Sequence, residues 1–330
     1  LKKQVIHWDA IKEVSKDLKI VYSPLHGTGN IPARRVLKEL GFENVYVVKE
    51  QELPDGEFPT VSYPNPESKE AFELGLKLAK EVDADLVLAT DPDADRIGIS
   101  VRDNEGKMVL LNGNQTGSIL TYYILRRWSE LGKLDGNQFI VKTIVTTELM
   151  RAIAEKYGVK VYNVLTGFKW IADIIKKNEG KSTFVCGGEE SYGFNVGDFV
   201  RDKDAPITCA FVAECAAWAA GQGKTLYQLL QDIYAEFGYY KESLISLTKK
   251  GKAGLEEIAA MMVDYRNNPP KELAGSPVIK VIDYSKPEET GLPASNVLQF
   301  YNEAGDVVTI RPSGTEPKIK FYFGIKGSDA

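Results

Sequence analysis

The sequence predicts an α/β protein with two consecutive three-layer α/β/α domains followed by a smaller α+β domain. Short apolar runs typical of strands alternate with helical stretches between residues 18 and 89, and the same order restarts between residues 139 and 186. After residue 238 the predicted strands cluster behind one helix, which favours an α+β arrangement. A chain of 330 residues is long enough for two or three domains. We therefore expect domains at residues 1–106, 107–237 and 238–330.

In the first domain, predicted strands are joined by helices, which indicates a parallel sheet with helices on both faces. A polar segment rich in proline and glycine, residues 54–66, interrupts the alternation. The last two strands are expected to form a hairpin around Asp103–Gly106. The predicted strands are 18–22, 45–48, 85–89, 97–101 and 107–111, and the predicted helices are 32–40 and 67–80.

The second domain is expected to open with a long helix and then to repeat the strand–helix order of the first. The third domain begins with a strand, continues with a helix and ends in further strands. The predicted elements are helix 112–131, strand 139–143, helix 147–157, strand 160–162, helix 169–177, strand 183–186, helices 206–220 and 226–236, strand 239–247, helix 255–265, and strands 278–284, 297–300, 307–311 and 318–323.

The composition excludes several classes of function. A formal net charge of -5 argues against nucleic acid as the main partner, because a phosphate backbone requires a basic face. No apolar run approaches the ~20 residues of a membrane helix and no signal-peptide pattern is present, so we expect no membrane partner. Cys186, Cys209 and Cys215 are irregularly spaced, which indicates a reducing, cytoplasmic setting rather than a disulfide framework. With only His7 and His26, the chain is unsuited to a zinc site or a histidine-based triad.

The acidic loop, defined as residues 91–96, is the most informative stretch. Asp91, Asp93 and Asp95 alternate with other residues between two apolar strands, and Pro92 stiffens the turn. Three carboxylates brought together repel one another in a partly desolvated site, and a hard divalent cation with oxygen ligands relieves that repulsion. Arg96 follows directly and is suited to a phosphate or carboxylate beside the metal.

A solvated acidic surface loop that binds no ion is an equally simple interpretation of this pattern. An EF-hand is a poor match, because Arg96 stands where that loop requires glycine and Arg102 stands where it requires glutamate. The spacing of the carboxylates alone therefore leaves a metal site and a plain surface loop open.

The run Asp-Pro-Asp-Ala-Asp-Arg resembles the metal-binding loop of the α-D-phosphohexomutase superfamily, which includes phosphoglucomutases and phosphomannomutases. The resemblance implies Mg²⁺ as cofactor, with Asp91, Asp93 and Asp95 as its ligands. It also implies that Arg96 lies beside the transferring phosphoryl group.

A second stretch, Gly187–Gly193, follows a predicted strand. Its glycines permit close approach of a ligand to the backbone, and its carboxylates and hydroxyl suit a polyol, although an ordinary acidic turn is the alternative. The stretch resembles the sugar-binding loop of the hexomutases in the Glu-Ser-Tyr-Gly form of the glucose-using branch, which implies that Glu189 and Ser191 bind sugar hydroxyls. A family loop that frames the sugar is matched by Thr166, Gly167 and Lys169.

A third stretch, residues 311–318, lies between two predicted strands and carries more hydrogen-bond donors than a turn requires. Arginine, lysine, hydroxyls and backbone N–H groups around a glycine form an anion nest, so phosphate is favoured over a purely structural role. The stretch is nearly identical to the phosphate-binding loop of the superfamily. Its donors are Arg311, Ser313, Gly314, Thr315 and Lys318.

Two lysines compete for the role of general base. The charged turn 198–204 has a surface explanation, but in the glucose-type mutases the matching lysine lies near the reacting hydroxyl, which implies that role for Lys203. Lys142, at the end of a predicted strand, is the rival. A lysine acts as a base only when its pKa is lowered from about 10.4 by burial or by cationic neighbours.

The loop Pro24–Gly29 follows the first predicted strand. A dinucleotide-binding fingerprint is incomplete here, because Pro32 stands at its third glycine position. The superfamily has a similar Pro-x-His-Gly loop, which implies that His26 lines the cleft near the acidic loop. A structural histidine with satisfied hydrogen bonds is the alternative.

The superfamily carries its transferable phosphate on a serine, usually within Thr-Ala-Ser-His-Asn-Pro, and this motif does not occur in the sequence. The resemblance therefore implies a fragment that corresponds to domains two to four of the family, without the N-terminal phosphoserine domain and inactive alone. The last domain is then expected to have the TATA-box-binding-protein-like fold. The intervening segments indicate the bacterial α-phosphoglucomutase branch.

We expect the parent enzyme to interconvert glucose 1-phosphate and glucose 6-phosphate through a phosphoserine and glucose 1,6-bisphosphate. Its partners are expected to be sugar phosphates, and the protein is expected to be a monomer or dimer. Mannose phosphates and a phosphopentomutase activity stay open as substrate alternatives. A metal-dependent sugar phosphatase and a non-catalytic sugar-phosphate-binding module are the alternatives from other functional classes.

Overall fold

The computed structural model describes residues 1–249, 251–314 and 316–327. The chain forms two compact units, Leu1–Phe237 and Gly238–Ala330. The expected α/β class is confirmed, with strands and helices alternating through the first unit and antiparallel strands prevailing in the second. Among the described helices, none is both long and apolar enough to cross a membrane.

The first sheet is built from β1 (Lys19–Ser23), β2 (Asn44–Val47), β3 (Leu86–Thr90), β4 (Ile97–Arg102) and β5 (Met108–Leu111). Its strand order is β2-β1-β3-β4-β5, with β1 parallel to β2 and β3, and with β4 antiparallel to β3 and β5. The predicted hairpin of β4 and β5 is present, and the expected parallel arrangement holds for β1, β2 and β3 but not for β4, which is antiparallel to β3. The acidic loop joining β3 to β4 is too short for a parallel crossover, which needs a dozen residues or more. β5 lies in this first sheet, on the far side of the expected domain boundary.

The helices along the first sheet are α1 (Trp8–Val14), α2 (Asn30–Leu40) and α3 (Lys69–Val82). α3 packs Ala71 and Phe72 against Val21 of β1 and Val87 of β3. α2 ends at Gly41, whose φ of 102° is a left-handed conformation that glycine adopts without a steric cost. α1 was not predicted, because a helix of seven residues is too short to show a clear apolar period.

The second sheet contains β6 (Gln138–Thr143), β7 (Lys160–Val164), β8 (Thr183–Gly188) and β9 (Phe194–Val196), in the order β7-β6-β8-β9. β6 is parallel to β7 and β8, and β9 is antiparallel to β8. The helices that accompany it are α4 (Gly113–Glu130), α5 (Leu149–Lys156) and α6 (Phe168–Asn178). α4 begins at a capping box in which Asn112 and Gln115 exchange side-chain and backbone hydrogen bonds.

Helix α7 (Ala205–Ala220) packs against elements of both sheets, and α8 (Leu226–Phe237) follows it. α7 is apolar on nearly all sides, which is typical of a helix in the interior. It contacts α2 beside the first sheet and β9 in the second. At its N-terminus the backbone N–H of Ala205 donates to the carbonyl of Ala94 at 3.0 Å, so the helix begins against the acidic loop.

The second unit is an antiparallel sheet with the strand order β10-β15-β14-β13-β12-β11. Ile258 and Met262 of its long helix pack on Leu298, Phe300 and Ile319 of the sheet. The strands are β10 (Tyr239–Thr248), β11 (Glu272–Leu273), β12 (Ser276–Asp283), β13 (Leu298–Asn302), β14 (Val307–Pro312) and β15 (Lys318–Gly327), and the helices are α9 (Gly251–Asn267) and α10 (Pro287–Thr290).

Candidate functional site

The acidic loop is a tight turn that brings three carboxylates together. Asp91 Oδ1 accepts hydrogen bonds from the backbone N–H groups of Asp95 at 3.0 Å and Arg96 at 2.8 Å. Ala94 adopts a left-handed conformation with a φ of 57°, which lets the chain reverse towards β4. One oxygen atom from each of Asp91, Asp93 and Asp95 lies within 4.8 Å of the others.

The chemistry of this cluster fits a hard divalent cation. Burial, with the neighbouring Asp95 and Asp93 carboxylates adding to it, raises the pKa of Asp91 to about 7, although the Arg96 backbone N–H opposes the shift. Asp95 Oδ1 is buried and accepts no hydrogen bond from any described residue. Asp91 is buried, Asp95 is half-buried and Asp93 is exposed, and carboxylate oxygens gathered in this way are the ligands that Mg²⁺ prefers.

The loop Pro24–Gly29 packs against the acidic loop at Pro92. Thr28 donates two hydrogen bonds to the carbonyl of Pro92, from its backbone N–H at 2.8 Å and from its hydroxyl at 3.0 Å. Gly27 lies so close that an added Cβ would be 2.3 Å from the Cα of Pro92. The acidic loop is therefore held by direct backbone packing.

His26 is buried and both of its ring nitrogens have partners. Nε2 lies 2.8 Å from the hydroxyl of Thr60, and Nδ1 lies 3.3 Å from the carbonyl of Leu53. These contacts join the loop Pro24–Gly29 to Leu53 and to the polar segment 54–66. They favour the structural alternative for His26, as a residue that stabilises the support of the acidic loop.

Gly187–Gly193, here called the sugar loop after the family loop that it resembles, is joined directly to the acidic loop. Gly193 forms an antiparallel bridge with Arg96. The backbone N–H of Ile97 donates to the carbonyl of Tyr192 at 3.1 Å, and Tyr192 itself has a left-handed φ of 70°. Two loops that lie far apart in the sequence therefore meet edge to edge.

Lys203 completes this junction. Its Nζ lies 2.6 Å from Oδ2 of Asp95, and its side chain retains 16% exposure. The Arg96 guanidinium lies 3.3 Å from Glu67, 3.6 Å from Asp91 and 3.7 Å from Oδ1 of Asp95. The acidic loop thus carries two cations at its border, one from its own chain segment and one from the turn after β9.

Lys142, the rival base, lies in the interior with no exposed surface. Its Nζ donates to the carboxylate of Glu148 at 2.8 Å and to the carbonyls of Thr146 at 2.9 Å and Thr143 at 3.2 Å. Burial lowers the pKa of Lys142, and Glu148 opposes that effect. With its three donors engaged, this ammonium group fits a structural role better than proton transfer.

The sugar loop also holds the neighbouring turn. Glu189 Oε1 accepts a hydrogen bond from the backbone N–H of Gly167 at 2.7 Å, which brings the two family-like loops into contact. Thr166, next to Gly167, and Ser191, two residues after Glu189, are both half-buried. Lys169 is exposed, and its Nζ lies 5.0 Å from the ring centroid of Trp170.

Glu190 is a residue of this loop that the sequence pattern did not single out. Its Oε2 accepts hydrogen bonds from the hydroxyls of Thr143 and Thr146, both at 3.2 Å. Burial raises the pKa of Glu190, and the neighbouring Glu189 adds to the effect. A hydrogen-bonded carboxyl beneath the turn anchors the sugar loop to the end of β6.

In the second unit, residues 311–318 connect β14 to β15. The backbone N–H of Ser313 donates to the carbonyl of Lys318 at 2.7 Å, and Lys318 Nζ lies 3.1 Å from Glu316. Gly314 is exposed, and Thr315 lies outside the described residues. The predicted donors therefore surround one hairpin turn, so far as the structure describes them.

Lys320 is a further cation at this turn that was not predicted. Arg311 of β14 is paired directly with Lys320 of β15, so both side chains leave the same face of the sheet. Like charges placed opposite one another are destabilising without an anion between them. Side chains at every second position of a strand share one face, so Lys320 lies on the same face as Lys318, and this alternation is the sequence signal that could have identified it.

These features define the class of protein as one with an acidic loop suited to a cation and a basic loop suited to phosphate. Three family models match: phosphoglucomutase/phosphomannomutase α/β/α domain II over residues 2–106, domain III over 112–237, and the C-terminal domain over 247–330. The chain belongs to the phosphoglucomutase/phosphomannomutase family.

Relatives with this family's activity in their names are similar along almost the whole chain. A phosphoglucomutase of Staphylococcus haemolyticus (strain JCSC1435) is 38% identical over 319 residues, which is 94% of this chain and 57% of the relative. A phosphoglucomutase of Staphylococcus aureus (strain MRSA252) is 38% identical over 323 residues, which is 95% of this chain and 58% of the relative. The chain thus spans little more than half the length of these relatives.

Solved structures share the fold. A putative phosphomannomutase from Thermus thermophilus has a TM-score of 0.68 at 20% identity, covering 98% of this chain and 62% of that one. The open form of a Paramecium phosphoglucomutase, pp63/parafusin, has a TM-score of 0.70 at 17% identity, covering 99% and 56%. An Aspergillus fumigatus N-acetylphosphoglucosamine mutase, in complex with glucose 1,6-bisphosphate, has a TM-score of 0.52 at 14% identity, covering 97% and 60%.

Proposed function

We propose that this chain supplies the metal-, sugar- and phosphate-binding loops of a phosphoglucomutase that interconverts glucose 1-phosphate and glucose 6-phosphate. The observation that carries the proposal is the contact between Lys203 and Asp95, because it brings a cation from the segment after the sugar loop to the carboxylates of the acidic loop. Phosphoryl transfer to a hydroxyl requires a group beside the metal site that can take up the hydroxyl proton, and the position of Lys203 suits that role when its amine is neutral.

The proposed reaction passes through a phosphoserine enzyme and glucose 1,6-bisphosphate. Magnesium held by Asp91, Asp93 and Asp95 would neutralise charge on the phosphoryl group during transfer. Arg96 is suited to bind a phosphoryl oxygen, since its fork of donors faces the same carboxylates. Lys203 accepts the proton of the attacking sugar hydroxyl as the neutral amine, which requires that its ammonium first release a proton.

The remaining loops bind and orient the substrate. Glu189 accepts hydrogen bonds from sugar hydroxyls, and the Ser191 hydroxyl exchanges hydrogen bonds with them. The hydrogen bond from Gly167 to Glu189 supports the proposal that the sugar loop and the loop at Thr166–Lys169 bind the same sugar. Arg311, with Ser313, Gly314, Thr315 and Lys318, binds the phosphate that is not transferred. The pairing of Arg311 with Lys320 across the two strands supports an anion at this turn.

The test is a coupled assay of glucose 6-phosphate formation from glucose 1-phosphate, run on the complete polypeptide in which this sequence occurs. Mg²⁺ and glucose 1,6-bisphosphate are supplied, and released orthophosphate is measured in parallel. We expect isomerisation that requires Mg²⁺, with little free phosphate. Orthophosphate release without isomerisation would instead identify a sugar phosphatase, and turnover of mannose or pentose phosphates alone would correct the substrate.

A further inference from the structure

Gly193 lies where the side chain of Lys203 crosses the sugar loop. A Cβ added at Gly193 would be 2.3 Å from Cδ and 2.8 Å from Cγ of Lys203, far inside van der Waals contact. These are atoms in the middle of the lysine stem, and beyond them the Nζ reaches Asp95 at 2.6 Å. The lysine therefore reaches the acidic loop by passing directly over a backbone that has no side chain.

The requirement for glycine does not come from the backbone conformation. The φ of Gly193 lies outside the left-handed region, and the residue is extended in its bridge with Arg96. Alanine is acceptable in such a conformation. The three atoms nearest to the added Cβ all belong to Lys203, so the closest conflict is with one flexible side chain rather than with the backbone.

The same glycine also fixes where the lysine arrives. Its bridge with Arg96 holds this point of the sugar loop against the acidic loop, and its carbonyl accepts the Glu189 N–H at 2.8 Å, which closes the sugar loop on itself. The stem of Lys203 thus lies on a surface whose position is set by both loops.

We infer that Gly193 is a positioning residue for the reaction: its missing side chain opens the path by which Lys203 reaches Asp95 and the reacting hydroxyl. The inference rests on the proposed function for its catalytic consequence, whereas the displacement of Lys203 is testable without it. Any side chain at position 193 is expected to push the lysine stem away from Asp95.

The first experiment is a double-mutant cycle in the complete polypeptide, with Gly193→Ala, Lys203→Ala and the double variant. Loss of a general base costs about 10²- to 10⁴-fold in rate. We expect Gly193→Ala to lower kcat by a factor close to that of Lys203→Ala, and the double variant to lose no more than Lys203→Ala alone. Multiplied losses in the double variant would overturn the inference, because Gly193 would then act independently of Lys203.

The second experiment measures the position of Lys203 directly. Acylation of lysines by an amine-reactive reagent, located by mass spectrometry, should proceed faster at Lys203 in Gly193→Ala than in the unaltered protein, while Lys177 on α6 stays unchanged. Unaltered labelling of Lys203 would overturn the inference. If Lys203 becomes more reactive but the unaltered protein lacks mutase activity, the proposed function fails and the positioning stands.

The control is Gly117→Ala on α4, where an added Cβ would meet Met150 Sδ at 3.4 Å and Phe194 at 3.9 Å, ordinary contact distances. This variant should keep both kcat and the labelling of Lys203. Should Gly193→Ala fold poorly, the double variant with Lys203→Ala removes the obstructing stem and should fold like Lys203→Ala. A double variant that remains unfolded would place the obstacle elsewhere and refute the inference.

Discussion

The Lys203 ammonium lies 2.6 Å from Oδ2 of Asp95, the last carboxylate of the acidic loop, and this contact joins the two sheets of the first unit at the candidate site. Lys142, in contrast, is enclosed by Glu148 and two backbone carbonyls. The two lysines that the sequence offered as bases therefore have different surroundings, and the difference leads to separable predictions.

Replacing Lys203 by alanine should reduce activity, whereas replacing Lys142 by alanine should reduce stability. Lys203→Ala should lower kcat by about 10²- to 10⁴-fold with little change in the free energy of unfolding, because the residue is at the border of the site. Lys142→Ala should destabilise the fold by about 3 kcal/mol, because it breaks a buried ion pair. Steady-state kinetics measures the effect on activity and denaturant unfolding measures the effect on stability, with Lys177→Ala as a surface control. If Lys142→Ala were stable but inactive while Lys203→Ala stayed active, Lys142 rather than Lys203 would be the general base.

Asp93→Ala should weaken Mg²⁺ binding in isothermal titration calorimetry. Mutating a residue that only hydrogen-bonds to a metal ligand lowers metal affinity by about 10- to 100-fold. Asp93→Ala removes one of three direct ligands, so we expect a loss of affinity larger than that. Asp173→Ala on α6 is the matched control, since Asp173 pairs with Lys177 on the surface. Unchanged affinity in Asp93→Ala would move the metal site away from the acidic loop.

Gly27→Ala should displace the acidic loop through its contact with the backbone of Pro92. An added Cβ would lie 2.3 Å from Cα and 2.6 Å from the carbonyl oxygen of Pro92, and backbone atoms do not move aside as a flexible side chain does. Overpacking of this kind costs about 1–3 kcal/mol, and the displaced loop should bind Mg²⁺ more weakly. Gly56→Ala, where an added Cβ meets nothing within 4 Å, should leave stability and Mg²⁺ affinity unchanged. Equal behaviour of the two variants would contradict the packing argument.

Arg311→Ala should weaken binding of glucose 1-phosphate and glucose 6-phosphate to a similar extent. A mutase holds its intermediate in two orientations, so one phosphate loop must bind either end. The lost charge-assisted hydrogen bonds are worth about 1.5–3 kcal/mol, or roughly ten- to a hundredfold in affinity. Calorimetry with each sugar phosphate measures this, with Lys280→Ala on β12 as control; a loss confined to one substrate would disprove the shared pocket.

Glu214→Gln should change how stability depends on pH. Glu214 lies inside α7, where its Oε1 accepts the Tyr123 hydroxyl at 2.7 Å and the Ile6 N–H at 3.2 Å, and burial raises its pKa from about 4.5 to about 7. The folded protein therefore binds this proton more tightly than the unfolded chain. The stability from this group is complete below about pH 4.5 and is lost as pH rises through about 7.

The uncharged glutamine keeps the hydrogen-bonded oxygen and removes the titration. Glu214→Gln should thus lose less stability than the unaltered protein between about pH 5 and pH 8, as measured by urea midpoints at each pH. Glu81→Gln, on the exposed side of α3, should leave the pH dependence as it was. An identical slope in Glu214→Gln and the unaltered protein would show that Glu214 does not titrate in this range.

The sequence by itself determined those features that are contiguous along the chain. The alternation of strands and helices indicated the α/β class, because side-chain period reflects which face of an element is buried. The acidic loop and the turn at residues 311–318 were recognisable for the same reason, since their oxygens and donors come from one short segment. Even so, β9 and α1 are too short to show a period, and both were missed.

Only the tertiary structure decided how distant segments meet. It separated Lys203 from Lys142, since burial and hydrogen-bond partners are properties of the packed interior rather than of a residue's neighbours in sequence. It made the first sheet mixed, because the acidic loop is too short for a crossover. It also brought Gly193 against Arg96 and beneath the stem of Lys203, and Lys320 opposite Arg311. Strand pairing and close packing set these contacts, and neither leaves a signal in a single local stretch of sequence.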